Sequence, residues 1–203
     1  MTEGTGAGPP VGVLAVQGNV REHVAMISEL GAEARLVRRP EDLVGLAGLV
    51  LPGGESTTID KLTRRYGLVE PIRAAVAAGL PVLGTCAGMI MLADRIVGRI
   101  DGQQTIGGLD VTVRRNAFGR QVESFEADLD VTGIDRQFHG VFIRAPWVER
   151  VGSHVEVLAT VSTGPAAGHV VAVRQGAVVA TSFHPELAGD PRVHALVIDL
   201  VRS

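Results

Sequence analysis

The first half of the chain alternates between short, mostly apolar runs and longer amphipathic stretches. Short runs without regular polar positions are typical of strands that are covered on both faces. They lie at residues 11–16, 34–37, 48–51 and 81–84. Stretches with helical spacing follow them at residues 20–30, 57–65, 69–78 and from 86 to about 95. This alternation predicts an α/β fold with a parallel sheet and helices on both faces.

The second half has a different pattern. Residues 109–114 alternate with period two, as a half-exposed strand does. Further strand patterns lie at residues 138–143, 155–161, 170–174 and 178–182, and a last helical pattern covers residues 191–201. The Gln175-Gly176 pair between the last two strands favours a hairpin turn. We therefore expect a mixed, mostly parallel sheet with an antiparallel extension.

Composition excludes several classes of protein. The length of 203 residues and the hydrophobic fraction of 46% fit one domain with a large core. A net charge of −3 without a block of Lys and Arg argues against nucleic acid as a partner. No apolar run approaches the ~20 residues that cross a membrane. Because the chain has one cysteine, no internal disulfide is expected, and a cytoplasmic protein is predicted.

The beginning of the chain is unlike the rest. Residues 1–10 are rich in Gly and Pro and lack the features of a signal peptide. We expect this segment to be a disordered extension and residues 11–203 to form the single domain.

The single cysteine, Cys86, lies between a predicted strand and a predicted helix. Small residues flank it on both sides, in Gly84-Thr85-Cys86-Ala87-Gly88. A strand, a sharp turn and a helix form the arrangement that exposes a nucleophile at the end of a sheet. The alternative is a buried cysteine with a structural role only.

A cysteine nucleophile needs a base and a group that orients the base. His184 follows a predicted strand, and Pro185 disfavours helical geometry at His184. Glu186 could then accept the imidazole N–H and fix its tautomer. The alternative is a loop histidine beside a solvated glutamate. His23 is expected at the surface or a pocket edge, and no metal-ligand spacing is found.

The remaining histidines have no acidic or cysteine partner at a useful spacing in the sequence. They are His139, His154, His169 and His194.

Two further segments contain candidate binding groups. Pro52-Gly53-Gly54 ends a predicted strand, and its backbone N–H groups could stabilise an oxyanion together with the N–H of Ala87. The alternative is an ordinary turn with Ser56 or Thr57 as the helix N-cap. Arg115 and Arg144 could bind a substrate carboxylate, although single arginines more often lie at the surface.

These segments together resemble the class I, or triad-type, glutamine amidotransferases. The shared features are the motifs at residues 52–54, 84–88 and 184–186. Within that class, the chain is similar to the glutaminase subunits of pyridoxal 5′-phosphate synthases. The segments that carry this second similarity are residues 16–23, 51–57, 115–121, 125–128, 142–146 and 182–186. The resemblance implies a three-layer, flavodoxin-like α/β fold.

The resemblance also implies a mechanism without a cofactor or a metal. Cys86 would attack the side-chain amide of L-glutamine, His184 would transfer the proton, and Glu186 would orient His184. The N–H groups of Gly54 and Ala87 would hold the oxyanion. The positions that match the glutamine-binding residues of the family are Gly54, Glu55, Ser56, Arg115, Ile143 and Arg144.

The ammonia would need an acceptor, and one amidotransferase domain accounts for the length of the chain. The resemblance implies a barrel-shaped synthase subunit in a large hetero-oligomer. That subunit would make pyridoxal 5′-phosphate from ribose 5-phosphate and glyceraldehyde 3-phosphate. Glutaminases of this family are nearly idle until they dock on it. We hypothesise that Gln17, Asn19 and His23 help to sense the partner.

Two other classes of protein remain open at this point. A different cysteine hydrolase, such as a peptidase or deglycase relative, would share the turn at Cys86 but not the glutamine-binding residues. A flavodoxin-like binding module would have a structural Cys86 and no activity.

Overall fold

The computed structural model describes residues 10–117, 124–164 and 166–203. Within these residues the strands are β1 (Pro10–Leu14), β2 (Glu33–Val37), β3 (Gly48–Leu51), β4 (Val82–Thr85), β5 (Ala93–Val97), β6 (Leu109–Arg114), β7 (Ser124–Leu129), β8 (Phe138–Ile143), β9 (Trp147–Val151), β10 (Glu156–Thr160), β11 (Val170–Gln175) and β12 (Val178–Thr181). The helices are α1 (Val20–Glu29), α2 (Ser56–Arg65), α3 (Val69–Ala77), α4 (Ala87–Leu92) and α5 (Arg192–Arg202), and short 3-10 helices cover Pro40–Leu43 and Pro185–Leu187.

The main sheet has the strand order β2-β1-β3-β4-β12-β11-β9-β6-β5, and β10 pairs with β11. The strands from β2 to β12 in this order are parallel to their neighbours. From β12 onward the pairings to β11, β9 and β6 are antiparallel. Strands β7 and β8 form a separate antiparallel pair. The predicted mixed sheet with an antiparallel extension is confirmed.

Helices cover both faces of the parallel part of the sheet. In β3, Leu49 and Leu51 belong to the core on one face, where they pack with α2, α3 and α4. Val50, between them, belongs to the core on the opposite face, where α1 and α5 lie. Because successive strand residues point to opposite faces, a strand buried on both sides needs apolar residues throughout. The predicted three-layer architecture is therefore confirmed.

The region after Cys86 differs from the prediction. The helix predicted to reach about residue 95 ends at Leu92, and residues 93–97 form strand β5. Arg95 contacts Asp110 and Thr112 on the neighbouring strand β6. These cross-strand contacts help to hold residues 93–97 in the extended conformation. Strands β7 and β9, which sequence patterns did not predict, are also held by pairing with neighbours.

Some predictions fall partly outside the described residues. Strand β1 begins at Pro10, the last residue of the predicted extension, and residues 1–9 are not described. Residues 118–121 of the motif at 115–121 also lie outside the described ranges. Across the described residues, every helix is too short or too polar to cross a bilayer.

Candidate active site

Four neighbouring parallel strands end at the same edge of the sheet, and the candidate residues follow these ends. The loop with Gln17 follows β1, the glycine pair follows β3, Cys86 follows β4 and His184 follows β12. The carboxyl ends of parallel strands are where open α/β sheets place their ligand sites. The topology therefore brings together segments that are far apart in the sequence.

Cys86 lies on a sharp turn between β4 and α4. Its φ of 48° and ψ of −101° are in a region that side-chain-bearing residues seldom adopt. Its N–H donates to the carbonyl of Thr181 at 2.8 Å, which ties the turn to the end of β12. Cys86 is 6% exposed, and Sγ lies 4.0 Å from the carbonyl oxygen of Ile143. This is the strained turn that the sequence predicts for a nucleophile.

His184 and Glu186 are adjacent and largely buried. Nδ1 of His184 lies 2.8 Å from Oε1 of Glu186, and Nδ2 of Asn19 donates to the same oxygen at 2.9 Å. The N–H of His184 donates to the carbonyl of Val141 at 2.8 Å. His184 has non-helical backbone angles, as Pro185 predicts. Because Glu186 engages Nδ1, Nε2 is the ring nitrogen left for Cys86.

Burial and hydrogen bonding act in opposite directions on this pair. Burial alone lowers the pKa of His184, but hydrogen bonds to Cys86 and Glu186 outweigh it and raise that pKa well above 6.5. Burial alone raises the pKa of Glu186, but the hydrogen bonds with His184 and Asn19 bring it below its ordinary value. Glu186 is therefore ionised, and His184 can hold a proton beside Cys86.

The glycine pair after β3 packs directly against these groups. The N–H of Gly53 donates to Oγ1 of Thr85 at 3.0 Å, and the carbonyl of Gly53 accepts the N–H of Asn19 at 3.2 Å. A Cβ built on Gly53 would overlap the imidazole of His184, so only glycine fits. In a trans peptide the carbonyl and the next N–H point in opposite directions. The N–H of Gly54 therefore points away from the loop that contains Asn19.

A cavity of about 320 Å³ joins these groups. Its lining residues are Gln17, Asn19, Gly54, Glu55, Ser56, Cys86, Ile90, Arg115, Asn116, Ile143, Arg144 and His184. All the candidate glutamine-binding residues therefore line this cavity together with Cys86 and His184. A larger cavity of about 650 Å³ beside Phe125 and Trp147 contains none of the triad.

Arg115 is held in the wall of the cavity rather than at the surface. Its guanidinium donates to Oε1 of Glu55 at 3.2 Å and to Oε1 of Gln103 at 2.8 Å. The amide of Gln103 also donates to Oγ of Ser56 at 3.2 Å. Gln103 is 5% exposed, and sequence patterns did not identify it. In the sequence, Gln103 is only a polar loop residue 12 positions before Arg115, and this gives no sign of a role in the site.

The start of α2 is capped by Glu55, a residue that the sequence did not suggest for this role. Neither Ser56 nor Thr57 is the N-cap: the side chain of Glu55 accepts the N–H of Thr58 at 2.8 Å. Burial raises the pKa of Glu55, but the hydrogen bonds from Thr57 and Thr58 outweigh it, and the pKa lies below its ordinary value. The Glu55 carboxylate is thus held both at the helix start and beside Arg115.

Two histidines, His23 and His139, differ from the sequence predictions, and a third has a histidine partner that the sequence did not indicate. His23 is fully buried, not at a surface or pocket edge, because α1 packs onto the sheet. His194, for which no partner was predicted, lies with Nε2 2.8 Å from Nδ1 of His23. His139 contacts Asp128 at 2.9 Å and Glu126 at 3.0 Å across the β7–β8 pair. Each contact joins residues of different elements, which spacing along the chain cannot reveal.

The loop after β1 touches both halves of the candidate site. Oε1 of Gln17 accepts the N–H of Glu55 at 2.9 Å. Asn19 contacts Gly53 through its backbone and Glu186 through its side chain. Gln17 and Asn19 also line the cavity, whereas His23 is buried and does not line it.

Relatives of known name match almost the entire chain. A pyridoxal 5′-phosphate synthase subunit PdxT from Nocardioides sp. is 64% identical over 193 residues, which is 95% of this chain and 96% of that protein. The subunit of the same name from Acidothermus cellulolyticus is 60% identical over 196 residues, which is 96% of this chain and 95% of that protein.

Solved structures and a family model agree with these relatives. The crystal structure of a glutamine amidotransferase is 52% identical, has a TM-score of 0.87, and aligns over 95% of this chain and 99% of that chain. The structure of PurLQS from Thermotoga maritima is 16% identical with a TM-score of 0.67 over 95% of this chain and 98% of that chain, and so supports the fold alone. The model of the SNO glutamine amidotransferase family matches residues 13–203, and the chain belongs to that family.

Proposed function

We propose that this chain is the glutaminase subunit of a pyridoxal 5′-phosphate synthase and hydrolyses L-glutamine through Cys86, His184 and Glu186. The observation that carries the proposal is that Cys86 and His184 line one cavity with Glu55 and Arg115, and that Glu186 contacts Nδ1 of His184. Membership of a glutamine amidotransferase family supports the substrate, and the name of the relatives supports the assembly.

The cavity offers complementary charges for an amino acid. The Arg115 guanidinium can bind the α-carboxylate of glutamine, and the Glu55 carboxylate can accept its α-ammonium group. Arg144, Ile143, Ser56 and Gly54 complete the walls. With the charged end held there, the side-chain amide would reach toward Cys86. This orientation favours glutamine over substrates without the amino-acid group.

The chemistry then follows from the positions of the three catalytic side chains. Sγ of Cys86 forms a bond to the amide carbon, and Nε2 of His184 takes the thiol proton. The N–H groups of Gly54 and Ala87 would stabilise the oxyanion of the tetrahedral intermediate. When the C–N bond breaks, His184 gives its proton to the leaving ammonia. Water then attacks the glutamyl thioester, which releases glutamate and restores the Cys86 thiol.

The ammonia would pass to a synthase subunit that condenses ribose 5-phosphate with glyceraldehyde 3-phosphate. The loop with Gln17 and Asn19 offers a route for activation, since it touches both the glycine pair and Glu186. A partner that moved this loop would alter the oxyanion donor and the triad together. We infer a cytoplasmic location, since Cys86 is unpaired, as thiols are in reducing compartments.

Labelling of Cys86 tests the proposed nucleophile. The chain is treated with a glutamine-analogue electrophile, with and without the synthase subunit, and modified peptides are identified by mass spectrometry. We expect labelling of Cys86 that L-glutamine prevents and that the variant His184→Ala slows. Absence of labelling even with the partner would contradict the proposal and favour a binding module.

Activation through the loop is tested with Gln17→Ala. We expect this variant to lose most of the stimulation of glutaminase activity by the synthase subunit. If the stimulated rate equalled that of the wild type, the role of the Gln17 loop would be wrong.

A further inference from the structure

Two buried histidines lie beyond the Glu186 carboxylate and take no part in the mechanism above. His23 on α1 is fully buried, and His194 on α5 is 2% exposed. Nδ1 of His23 lies 2.8 Å from Nε2 of His194, and the ring centroids are 5.1 Å apart. Neither residue lines the cavity that contains Cys86. We call them the histidine pair.

The histidine pair faces the second oxygen of Glu186. Oε1 of Glu186 contacts His184 and Asn19, whereas Oε2 is buried without a hydrogen-bond partner among the described residues. Nε2 of His23 lies 3.5 Å from Oε2, which is a long contact that acts mainly through electrostatics.

The same ring nitrogen also reaches the glycine loop through one hydroxyl. Nε2 of His23 lies 3.2 Å from Oγ1 of Thr85. That hydroxyl oxygen accepts the N–H of Gly53 at 3.0 Å. His23 therefore adjoins both Glu186 and the residue that fixes the glycine pair.

The surroundings determine which nitrogen of each ring carries its proton. Burial lowers the pKa of His23 and of His194, and it outweighs the attraction of Glu186, so both rings are neutral. A bare Nε2 on His23 would repel the carboxylate of Glu186, whereas an N–H attracts it. Nδ1 of His23 is then an acceptor, and His194 must donate to it from Nε2.

The opposite assignment is worse for Glu186 and for His194, although it would let the hydroxyl of Thr85 donate to Nε2 of His23. It would place a lone pair of His23 against Oε2 of Glu186. It would also leave an N–H on Nδ1 of His194, which is buried and has no partner among the described residues. Unpaired buried N–H groups are rarer than unpaired acceptors.

We propose that the histidine pair consists of positioning residues for the triad: His194 fixes the tautomer in which Nε2–H of His23 holds the Glu186 carboxylate against His184. This inference rests on the proposed glutaminase function. The pair touches no reacting atom and acts only through Glu186 and Thr85. It makes a chain of contacts that runs from α5 to Cys86.

Two substitutions of His23 separate positioning from simple packing. In His23→Gln the amide nitrogen can take the place of Nε2 and donate to Glu186 and Thr85. In His23→Asn the shorter amide can take only the place of Nδ1, facing His194. With the synthase subunit present, we expect His23→Asn to lower kcat by roughly tenfold or more with KM for glutamine within twofold. We expect His23→Gln to retain kcat within about threefold of the wild type.

Equal loss of kcat in the two variants, or no loss in His23→Asn, would overturn the inference. Unfolding midpoints of both variants, measured in urea, show whether a difference in kcat merely follows stability. If the wild-type protein released no ammonia, the proposed function would be wrong. The inference about the histidine pair would then depend only on the protonation state of the two rings.

Nitrogen NMR of the histidine rings tests the tautomers without any substrate. We expect protonated Nε2 and bare Nδ1 on both His23 and His194 in the wild type. In His194→Leu we expect His23 to become a mixture of tautomers. A wild-type His23 that carried its proton on Nδ1 would overturn the inference, whatever the glutaminase activity.

Discussion

At the scale of single residues, backbone strain is concentrated around one cavity. Among the described residues, the non-glycine residues with positive φ are Cys86, Asn116 and Arg144, with φ of 48°, 46° and 43°. All three line the cavity that contains Cys86 and His184. Such conformations cost free energy and persist where the surrounding structure enforces them. This clustering supports the assignment of the cavity as the functional site.

Gln103 carries the most specific prediction at this scale. It holds Arg115 and Ser56 through hydrogen bonds of 2.8 Å and 3.2 Å. Gln103→Leu removes both hydrogen bonds and leaves the guanidinium less fixed. We therefore expect KM for glutamine to rise roughly tenfold while kcat changes less than threefold, measured by glutamate formation with the synthase subunit.

Gln104 supplies the matched control for that measurement. It is exposed and contacts Asp60 through its backbone N–H, so Gln104→Leu retains that hydrogen bond. We expect KM in Gln104→Leu to stay near the wild-type value. Equal KM in the two variants would contradict a role for Gln103 in holding Arg115.

At the scale of secondary-structure elements, the parts of the site that lie within one segment could be predicted from the sequence. The turn at Cys86 and the His184-Pro185-Glu186 segment are local, so their chemistry is visible in adjacent residues. The apolar strands were predictable because burial on both faces leaves no polar positions. Gln103 and His194 were not, since each acts on residues of another element.

The sequence pattern did not predict strand β5, and the reason is related. Its exposed residues Asp94 and Arg95 have no strand pattern of their own, and pairing with β6 determines their conformation. Local pattern thus predicted the parallel core and missed an edge strand of the sheet.

The loop after β3 gives a prediction at this scale. Gly53→Ala would place a Cβ against the ring of His184, with Cβ of Cys86 only 3.4 Å away. Because the ring must move, we expect kcat to fall by roughly 100-fold, measured by glutamate formation with the synthase subunit. A Gly53→Ala variant with wild-type kcat would contradict this packing.

At the scale of the whole molecule, buried ionisable groups make stability depend on pH. His194 has its pKa lowered to about 3 by burial, so the unfolded chain binds a proton below pH 6.5 that the folded chain does not. Stability from this group is present above pH 6.5 and is lost as pH falls. The lowered pKa of Glu186 affects stability only at pH values below the ordinary value of 4.5. The raised pKa of His184 affects stability only at pH values above 6.5. Between these two pH values, the dependence of stability on pH comes mainly from the histidine pair.

We therefore expect the free energy of unfolding to fall from pH 6.5 to pH 5.0. The expected contribution of His194 is on the order of 1 kcal/mol per pH unit. Urea unfolding at both pH values should show a smaller decrease in His194→Leu than in the wild type. His154→Gln, at an exposed position, is the control and should retain the wild-type decrease. Equal decreases in His194→Leu and the wild type would contradict the burial of a neutral His194.

In the proposed function, Cys86 releases ammonia from glutamine for use on another chain. The most direct test measures ammonia from L-glutamine with the wild type and with Cys86→Ala, each with and without the synthase subunit. We expect release by the wild type that the synthase subunit stimulates, and none by Cys86→Ala, although that variant still binds the partner. No ammonia from the wild type in either condition, or near-wild-type release by Cys86→Ala, would contradict the claim.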